Sequence, residues 1–412
     1  MIYTIQPPDS ISASIALPTS KSISNRALIL RALSNSDFPI ENLSDSDDTQ
    51  VMLKAFESKD DTLIDIGAAG TSMRFLTAYF SQCEGNRIIT GSDRMKNRPI
   101  KILVEALQQI GAKISYVEKE GFPPLQITGR KLRGGKIILD GSVSSQYLSA
   151  LVMAAPLMKK GLNMGLKGDI ISRPYLRMTL RLMEFFGVRT LWESRNIRIA
   201  PQTYTARPFK VESDWSAASY WYEIMALAQR NPNVELLGLD EKSLQGDSKS
   251  VELFKNLGIT TDFLPSGGVQ LKQLPTDKTR LEFFRYNFIN EPDLAQTLVV
   301  TCCMLGIPFR FSGLQSLKIK ETDRISALQT ELKKLGYLVR SEPDGLIEWG
   351  GERCEPESDP VISTYEDHRM AMAFAPVCLK TGKIRISNPE VVSKSYPGYW
   401  EDLKKAGFVV VS

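Results

Sequence analysis

Several short stretches of this chain combine cationic, hydroxyl and small residues in patterns suited to binding anions. The first is LPTSKSISNR at residues 17–26, which contains Lys21, Arg26 and four hydroxyl side chains. An ammonium and a guanidinium spaced in this way could bind one oxyanion from several directions. The Walker A pattern G-x-x-x-x-G-K-[ST] is absent from the sequence, so phosphate binding here does not imply a nucleotide.

Two stretches of mixed charge point more strongly to a functional site. In KETDR at residues 320–324, the start of a helix would place Lys320 and Arg324 on one face with Glu321 beside them. The alternative is an ordinary surface pattern of salt bridges between residues four apart. DHR at residues 367–369 holds the only histidine and precedes an apolar run, where charged side chains pack poorly unless they face a cleft.

Three other stretches carry weaker signals. RMKNRP at residues 94–99 has three cations in five residues, although such a run is more often a solvated loop. SSQ at residues 144–146 offers neutral donors for a phosphate or hydroxyl, although helix capping explains it equally. GAAGT at residues 67–71 could bring bare backbone against a ligand, although a tight turn is an equal explanation.

Most of these stretches lie where an amphipathic helix is expected to begin, between short β-rich runs. Such helix starts are expected at seven positions, namely Ser20, Ala69, Ser144, Asp214, Pro292, Lys320 and Asp367. This recurrence indicates repeated β/α units. Helix N-termini attract anions, although the Ser and Asp residues could equally serve only as caps worth ~1 kcal/mol each.

Cations near these helix starts argue for more than capping, because they oppose the helix dipole. The cations concerned are Lys21, Arg26, Arg74, Lys320, Arg324 and Arg369.

Length and charge narrow the class of protein. A chain of 412 residues exceeds what one hydrophobic core usually supports, so two domains are expected, with a boundary near residues 208–213. The net charge of +4 is too slight for a protein that coats nucleic acid, so no nucleic-acid partner is expected. The apolar runs are shorter than the roughly 20 residues of a membrane span. We expect a cytoplasmic protein without a membrane partner.

The number and spacing of the cysteines and histidine limit which metal sites, disulfides and catalytic triads are possible. The five cysteines show no C-x-x-C spacing, which argues against a disulfide framework and a zinc site. With one histidine in the chain, a Ser-His-Asp triad would have to use His368. We therefore expect no metal site.

Nine motifs, in order over residues 17–397, make the sequence resemble the 5-enolpyruvylshikimate-3-phosphate synthase family of enolpyruvyl transferases. The motifs are LPTSKSISNRA, GAAGTSMR, RMKNRPI, DGSVSSQYL, ISRPY, PD at residues 292–293, KETDR, DHRMAM and SKSYP. This order over nearly the whole length makes coincidence improbable.

The resemblance implies transfer of the enolpyruvyl group of phosphoenolpyruvate to the 5-hydroxyl of shikimate 3-phosphate, with release of phosphate. The reaction proceeds by addition and elimination, without a metal or organic cofactor, and serves the biosynthesis of chorismate and aromatic amino acids. Two phosphates of about −1.5 to −2 charge each require several converging cations. A monomer with these two small-molecule substrates as partners is expected.

The resemblance also implies two sets of substrate-binding residues. Shikimate 3-phosphate would contact Lys21, Ser22, Arg26, Ser144, Ser145, Ser172, Tyr175, Asp293, Ser316 and Lys320. Phosphoenolpyruvate would contact Lys21, Gly70, Arg98, Gln146, Arg324, Arg369 and Lys394.

Three of the family's residues are implied to be catalytic here. Asp293 would take the proton from the attacking hydroxyl. Glu321 would move the proton at the methylene carbon of phosphoenolpyruvate, and Lys21 would assist at the bridging oxygen. The role of His368 stays open between orienting Glu321 and transferring a proton.

Two positions depart from the common family pattern. Ala68 stands where many members have Asn, and Phe75 where Pro is common. The first change removes a side-chain contact to phosphoenolpyruvate, while Gly70 keeps open the space that a bulkier residue would fill. We expect moderate sensitivity to glyphosate, which competes with phosphoenolpyruvate.

The implied fold is α/β (α+β), with two domains that each contain three repeated β-α-β-α-β-β units with the helices inside. Residues 21–212 would form the domain on the shikimate 3-phosphate side. Residues 1–20 and 213–412 would form a discontinuous domain with the catalytic acids and the arginines that bind phosphoenolpyruvate.

Two alternative functions are disfavoured by individual residues. A UDP-N-acetylglucosamine enolpyruvyl transferase usually carries a cysteine in the loop that corresponds to residues 92–96, and none lies there. A non-catalytic binder of phosphorylated acids would be favoured if Asp293 and Glu321 were both absent, and both are present.

Overall fold

The fold is a mixed α/β arrangement, which confirms the predicted class. The structure is a computed structural model and describes residues 1–57, 62–229, 231–274 and 281–412. Its strands are β1 (Ile2–Gln6), β2 (Ser12–Ala16), β3 (Ile40–Glu41), β4 (Leu63–Asp65), β5 (Gly85–Thr90), β6 (Lys113–Tyr116), β7 (Leu125–Gly129), β8 (Gly135–Asp140), β9 (Leu162–Lys167), β10 (Leu191–Glu193), β11 (Asn196–Ile199), β12 (Phe209–Lys210), β13 (Asn233–Leu237), β14 (Ile259–Phe263), β15 (Gly268–Gln273), β16 (Phe284–Asn287), β17 (Phe309–Ser312), β18 (Arg340–Glu342), β19 (Leu346–Trp349), β20 (Val361–Ile362), β21 (Ile384–Ser387) and β22 (Val409–Val411).

The helices alternate with these strands along the chain. They are α1 (Lys21–Leu33), α2 (Asp47–Glu57), α3 (Gly70–Phe80), α4 (Asp93–Lys96), α5 (Lys101–Gln109), α6 (Ser145–Ala154), α7 (Arg173–Phe185), α8 (Trp215–Leu227), α9 (Ser250–Lys255), α10 (Ala295–Leu305), α11 (Arg324–Lys334), α12 (His368–Phe374), α13 (Cys378–Thr381) and α14 (Tyr399–Lys405). Short 3-10 turns join several of them. No helix in the described ranges is long and apolar enough to cross a membrane.

The chain divides into two compact units. The middle unit is Thr19–Val211, and the terminal unit combines Met1–Pro18 with Glu212–Ser412. Each unit has its own cluster of buried hydrophobic residues. All five cysteines are free thiols.

One strand-pairing pattern recurs in five of the six sheets described. A parallel pair is extended on one side by two antiparallel strands, as in β16-β17-β19-β18. The sheets β4-β5-β7-β6 and β10-β11-β9-β8 share both this pairing and the chain order. The sheets β14-β15-β13-β2 and β20-β21-β1-β22 share the pairing, but each takes one strand, β2 or β1, from the N-terminal segment. The remaining sheet, in the middle unit, consists of the parallel pair β3 and β12.

Helices fill the interior of each unit and the sheets cover them. Residues 295–304 of α10 are all buried, and α8 and α6 are nearly so. Helices that are apolar on all sides are surrounded by protein. The strands instead alternate: Phe309 and Phe311 of β17 point inward, while Arg310 between them is exposed and pairs with Glu348.

Candidate functional site

Ten of the predicted site residues lie in the middle unit and seven in the terminal unit, and each group is described within its own unit. The seven are Asp293, Ser316, Lys320, Glu321, Arg324, Arg369 and Lys394. The ten are Lys21, Ser22, Arg26, Gly70, Arg98, Ser144, Ser145, Gln146, Ser172 and Tyr175.

The terminal-unit group is organised around Arg324. Its side chain is almost fully buried and contacts three carboxylates: Nη1 lies 3.0 Å from Asp293 Oδ1, and Nη2 lies 2.9 Å from Glu321 Oε2. Nε lies 2.7 Å from Asp367 Oδ2. A buried guanidinium with carboxylates at Nε, Nη1 and Nη2 has little rotational freedom, so this contact set defines the geometry of the site.

Asp293 is in turn surrounded by cations. Arg369 Nη2 lies 3.1 Å from Asp293 Oδ2, and Lys320 Nζ lies 3.6 Å from Asp293 Oδ1. Burial alone would raise the pKa of Asp293, but the charges of Arg369, Lys320 and Arg324 more than offset it and hold the pKa well below the usual range of an aspartate. The carboxyl is therefore ionised at neutral pH.

Glu321 occupies the other side of the cluster. Besides Arg324, it has Lys394 Nζ at 3.8 Å from its Oε1 atom. Burial lowers the pKa of Arg324, while Asp367, Glu321 and Asp293 raise it by more, so the guanidinium stays charged. Six of the seven predicted residues thus form one ion-pair cluster.

The seventh residue, Ser316, lies on the 3-10 turn Gln315–Ile319 that precedes the cluster. Its Oγ atom is buried and has no hydrogen-bond partner in the described part of the chain. A buried hydroxyl costs free energy unless it finds a partner. Ser316 therefore has hydrogen-bonding capacity to offer a ligand.

Local sequence explains how the segments that carry Asp293 and Arg324 are placed. Asp293 lies in a 3-10 turn that leads into α10, with Pro292 at its first position. Asp323 caps α11 by accepting from the backbone N–H groups of Ile325 and Ser326. Because α11 begins at Arg324, the prediction of a helix from Lys320 is wrong by one turn. Lys320 reaches Asp293 from the loop before the helix.

Asp367 has no assigned role in the sequence prediction, yet it supports the site twice. It caps α12 by accepting from the backbone N–H of Arg369 at 2.9 Å, and it accepts from Arg324 Nε. Its exposed fraction is 0%. The charged triplet at residues 367–369 is its sequence signal, because charges before an apolar run require partners.

In the middle unit, most of the predicted residues lie at helix N-termini. Lys21 and Ser22 begin α1, Gly70 begins α3, and Ser145 and Gln146 begin α6. Ser144 caps α6, and Ser172 precedes α7 with a left-handed backbone at φ 54°. The capping interpretation is confirmed for Ser144, and for Ser20 at α1.

Individual contacts link several of these ends. Gln146 Nε2 donates to Thr71 Oγ1 at 3.1 Å, which joins the starts of α6 and α3. Lys21 Nζ lies 3.8 Å from Asp48 Oδ2. Thr71 and Asp48 are neighbours that sequence reasoning did not assign.

Arg26 is held by acceptors of the protein. Its Nε donates to Thr179 Oγ1 at 2.7 Å, and its Nη1 donates to the carbonyl of Ser22 at 2.8 Å. A weaker contact reaches the carbonyl of Tyr175 at 3.5 Å. Burial lowers the pKa of Arg26 to about 10, against a smaller opposing effect of Tyr175. Arg26 remains charged at neutral pH and ties together predicted site residues of α1 and α7.

Arg98 lies against the start of α3. A Cβ atom added at Gly70 would be 2.5 Å from Arg98 Nη1 and 2.9 Å from its Cζ. The adjacent loop is fixed by Tyr147, whose hydroxyl donates to the carbonyl of Pro99 at 2.5 Å. Only a residue without a side chain permits this approach of a guanidinium to the helix start.

The described residues contain no group of three or more His, Cys, Asp and Glu side chains that could hold a metal ion. What the two groups offer is charge. The terminal unit combines four cations with carboxylates that can accept protons, and the middle unit presents cations, hydroxyls and helix N-termini. These are suited to binding small polyanions and moving protons on them.

Comparison with known proteins agrees with this inventory. The profile of the family EPSP synthase (3-phosphoshikimate 1-carboxyvinyltransferase) matches residues 5–58 and 54–403. A 3-phosphoshikimate 1-carboxyvinyltransferase of Bacteroides fragilis is 56% identical over 409 residues, which is 99% of this chain and 98% of the relative. One from Vibrio campbellii is 35% identical and covers 97% of this chain and 98% of its own length.

Solved structures show the same fold. An EPSP synthase from Acinetobacter baumannii superposes with a TM-score of 0.77 at 21% identity, over 100% of both chains. The enolpyruvyl transferase NikO from Streptomyces tendae superposes with a TM-score of 0.73 at 15% identity, over 100% of this chain and 98% of its own. With the family profile matched over nearly the full length, this chain belongs to the EPSP synthase (3-phosphoshikimate 1-carboxyvinyltransferase) family.

Proposed function

We infer that this chain is an enzyme that transfers the enolpyruvyl group of phosphoenolpyruvate to the 5-hydroxyl of shikimate 3-phosphate, with release of phosphate. The observation that carries the inference is the 56% identity to a 3-phosphoshikimate 1-carboxyvinyltransferase over 99% of the chain. The cluster around Arg324 supports it, because it combines arginines for anions with two acids for proton transfer.

In this proposal, Arg98, Arg324 and Arg369 bind the carboxylate and phosphate of phosphoenolpyruvate, together with Lys21, Gly70, Gln146 and Lys394. Shikimate 3-phosphate is bound by the residues that the resemblance assigns to it, namely Lys21, Ser22, Arg26, Ser144, Ser145, Ser172, Tyr175, Asp293, Ser316 and Lys320. Arginine suits the first task because its planar fork matches both anionic groups.

The reaction then requires proton transfer at two atoms, the 5-hydroxyl oxygen of shikimate 3-phosphate and C3 of phosphoenolpyruvate. The 5-hydroxyl attacks C2 of phosphoenolpyruvate and loses its proton to Asp293, while C3 receives a proton from Glu321 and becomes a methyl group. In the second step the C2–O bond to phosphate breaks, with Lys21 assisting at the bridging oxygen, and the methyl group returns a proton to Glu321. This yields the enol ether and phosphate.

The ion pairs suggest how Asp293 becomes basic enough. Without substrate, Arg324 and Arg369 stabilise its ionised form. When phosphoenolpyruvate brings its negative charge beside both arginines, it offsets their effect on Asp293, and the pKa of Asp293 rises. The substrate would thereby activate the base that acts on it.

The test is phosphate release by the purified chain supplied with phosphoenolpyruvate and shikimate 3-phosphate, without added metal or cofactor. The same assay with UDP-N-acetylglucosamine as acceptor is the control. We expect phosphate release when shikimate 3-phosphate is the acceptor and none when UDP-N-acetylglucosamine is the acceptor. Phosphate release only with the UDP-sugar would refute the proposal. We further propose that the enzyme is monomeric and cytoplasmic and acts in aromatic amino acid biosynthesis.

A further inference from the structure

Two side chains of α8 hold the guanidinium of Arg369. Ser216 and Tyr220 lie one turn apart, so they share one face of that helix. Arg369 Nη1 donates to the Tyr220 hydroxyl at 3.3 Å, and Nη2 donates to Ser216 Oγ at 3.3 Å. Nη2 also lies 3.1 Å from Asp293 Oδ2. The two hydroxyls and the proposed base thus contact the same planar group.

Asp247 sets the direction of the Ser216 hydroxyl. It lies in the 3-10 turn Gly246–Lys249 with an exposed fraction of 2%, and it accepts a hydrogen bond from Ser216 Oγ. A serine hydroxyl has one proton and two lone pairs. With the proton directed at Asp247, the lone pairs of Ser216 are left to accept from Arg369.

Tyr220 acts as a neutral acceptor. Its exposed fraction is 1%, and burial raises the pKa of its hydroxyl, against a smaller lowering effect of Arg369. It therefore orients the guanidinium without neutralising its charge. A carboxylate in the same place would compete with an anionic substrate for Arg369, whereas a hydroxyl leaves that charge available.

We propose that Ser216 and Tyr220 are positioning residues that hold Arg369 in the orientation in which it binds phosphoenolpyruvate. The inference rests on the proposed function, because it names the residues that act through one of its arginines. It assigns neither residue a contact with the reacting atoms.

The test compares variants that each remove a single hydroxyl, Tyr220→Phe and Ser216→Ala. Losing one hydrogen bond to a charged group is expected to raise KM for phosphoenolpyruvate by about 5- to 20-fold, with a smaller change for shikimate 3-phosphate. Ser216→Thr, which keeps a hydroxyl, should restore KM to within about threefold of the wild type. Tyr222→Phe is the matched control, because the buried hydroxyl of Tyr222 lies 2.7 Å from Thr261 Oγ1 rather than at Arg369.

A second comparison separates positioning from a general effect on folding. In an Arg369→Lys background, the planar guanidinium that Tyr220 orients is absent. Tyr220→Phe should therefore change kcat/KM by less than about twofold in that background. Equal losses in both backgrounds, or an unchanged KM for phosphoenolpyruvate in both single variants, would overturn the inference. If the wild-type chain itself released no phosphate, the proposed function would fail instead.

Discussion

The guanidinium of Arg98 lies so close to Gly70 that a Cβ atom on this glycine would be 2.5 Å from Arg98 Nη1. The two residues belong to separate segments of the middle unit, the start of α3 and the loop before α5. Their approach places a backbone N–H at a helix start beside a cation, which is a favourable arrangement for one anion.

Gly70→Ala is expected to displace the Arg98 guanidinium and raise KM for phosphoenolpyruvate by about tenfold or more, because a bidentate contact tolerates little displacement. Steady-state kinetics with each substrate varied would measure this. Gly165→Ala is the control, since a Cβ there meets its nearest atom at an ordinary 3.6 Å. Equal KM values for the wild type and Gly70→Ala would contradict the proposed role of this pair.

Asp293→Asn keeps the size of the side chain and removes its capacity to take a proton. If Asp293 is the base, kcat should fall by about 10²- to 10⁴-fold. Equilibrium binding of shikimate 3-phosphate should remain measurable, which would show that the variant is folded. Turnover within about tenfold of the wild type would rule Asp293 out as the base.

Asp367→Asn should destabilise the protein. An asparagine still caps a helix, so the variant isolates the lost charge beside the buried Arg324 guanidinium. Breaking such a buried pair typically costs about 3 to 5 kcal/mol in the free energy of unfolding, which urea denaturation would measure. As the control, Asp359→Asn removes exposed contacts to Lys383 and Arg385 and should leave the urea midpoint almost unchanged. A similar midpoint for both variants would argue against the Arg324 cluster as a stabilising unit.

Asp247 makes stability depend on pH. Burial, followed by the nearby charge of Asp293 and a smaller effect of Asp214, raises the pKa of Asp247 to about 7, against the lowering effects of Arg369 and Ser216. In the unfolded chain the same carboxyl ionises near pH 4. The folded state therefore binds the extra proton between these values, and this group lowers stability as pH rises from about 4 to about 7.

Asp247→Asn removes that dependence. The free energy of unfolding of this variant, relative to the wild type, should increase between pH 4 and pH 8 in urea denaturation. The reason is that only the wild type has a carboxyl at this position, and this carboxyl keeps its proton in the folded state up to a higher pH than in the unfolded chain. A difference between the two proteins that is the same at both pH values would show that Asp247 does not titrate in this range.

Glyphosate should inhibit the enzyme in competition with phosphoenolpyruvate. Ala68 lacks the side-chain amide common in the family, whereas Gly70 leaves its space open, so moderate sensitivity is expected. A titration at fixed shikimate 3-phosphate would measure it, with Ala68→Asn as the comparison that should bind glyphosate more tightly. No competition at about 1 mM glyphosate would contradict the expectation.

Much of the fold and of the candidate site could be predicted because it is encoded locally. The repeated pattern of a polar cluster followed by an apolar helix predicts β/α units, and the helices at Lys21, Gly70 and Ser145 begin within a residue or two of the expected positions. Asp323 shows where prediction of a helix start from the charge pattern fails. Its capping of α11 moves the helix start beyond Lys320, because the cap and not the charge pattern determines where the helical backbone begins.

The sequence by itself determined the family, through motifs in a definite order, and the types of residue available for anion binding and proton transfer. Only the tertiary structure decided which of them meet: Arg324 reaches Asp293, Glu321 and Asp367, while Ser216 and Tyr220 reach Arg369. Apart from Glu321, which is three residues from Arg324, these partners come from segments that lie far apart in the chain. Their contacts depend on how buried helices pack around a shared core, which no local spacing of residues specifies.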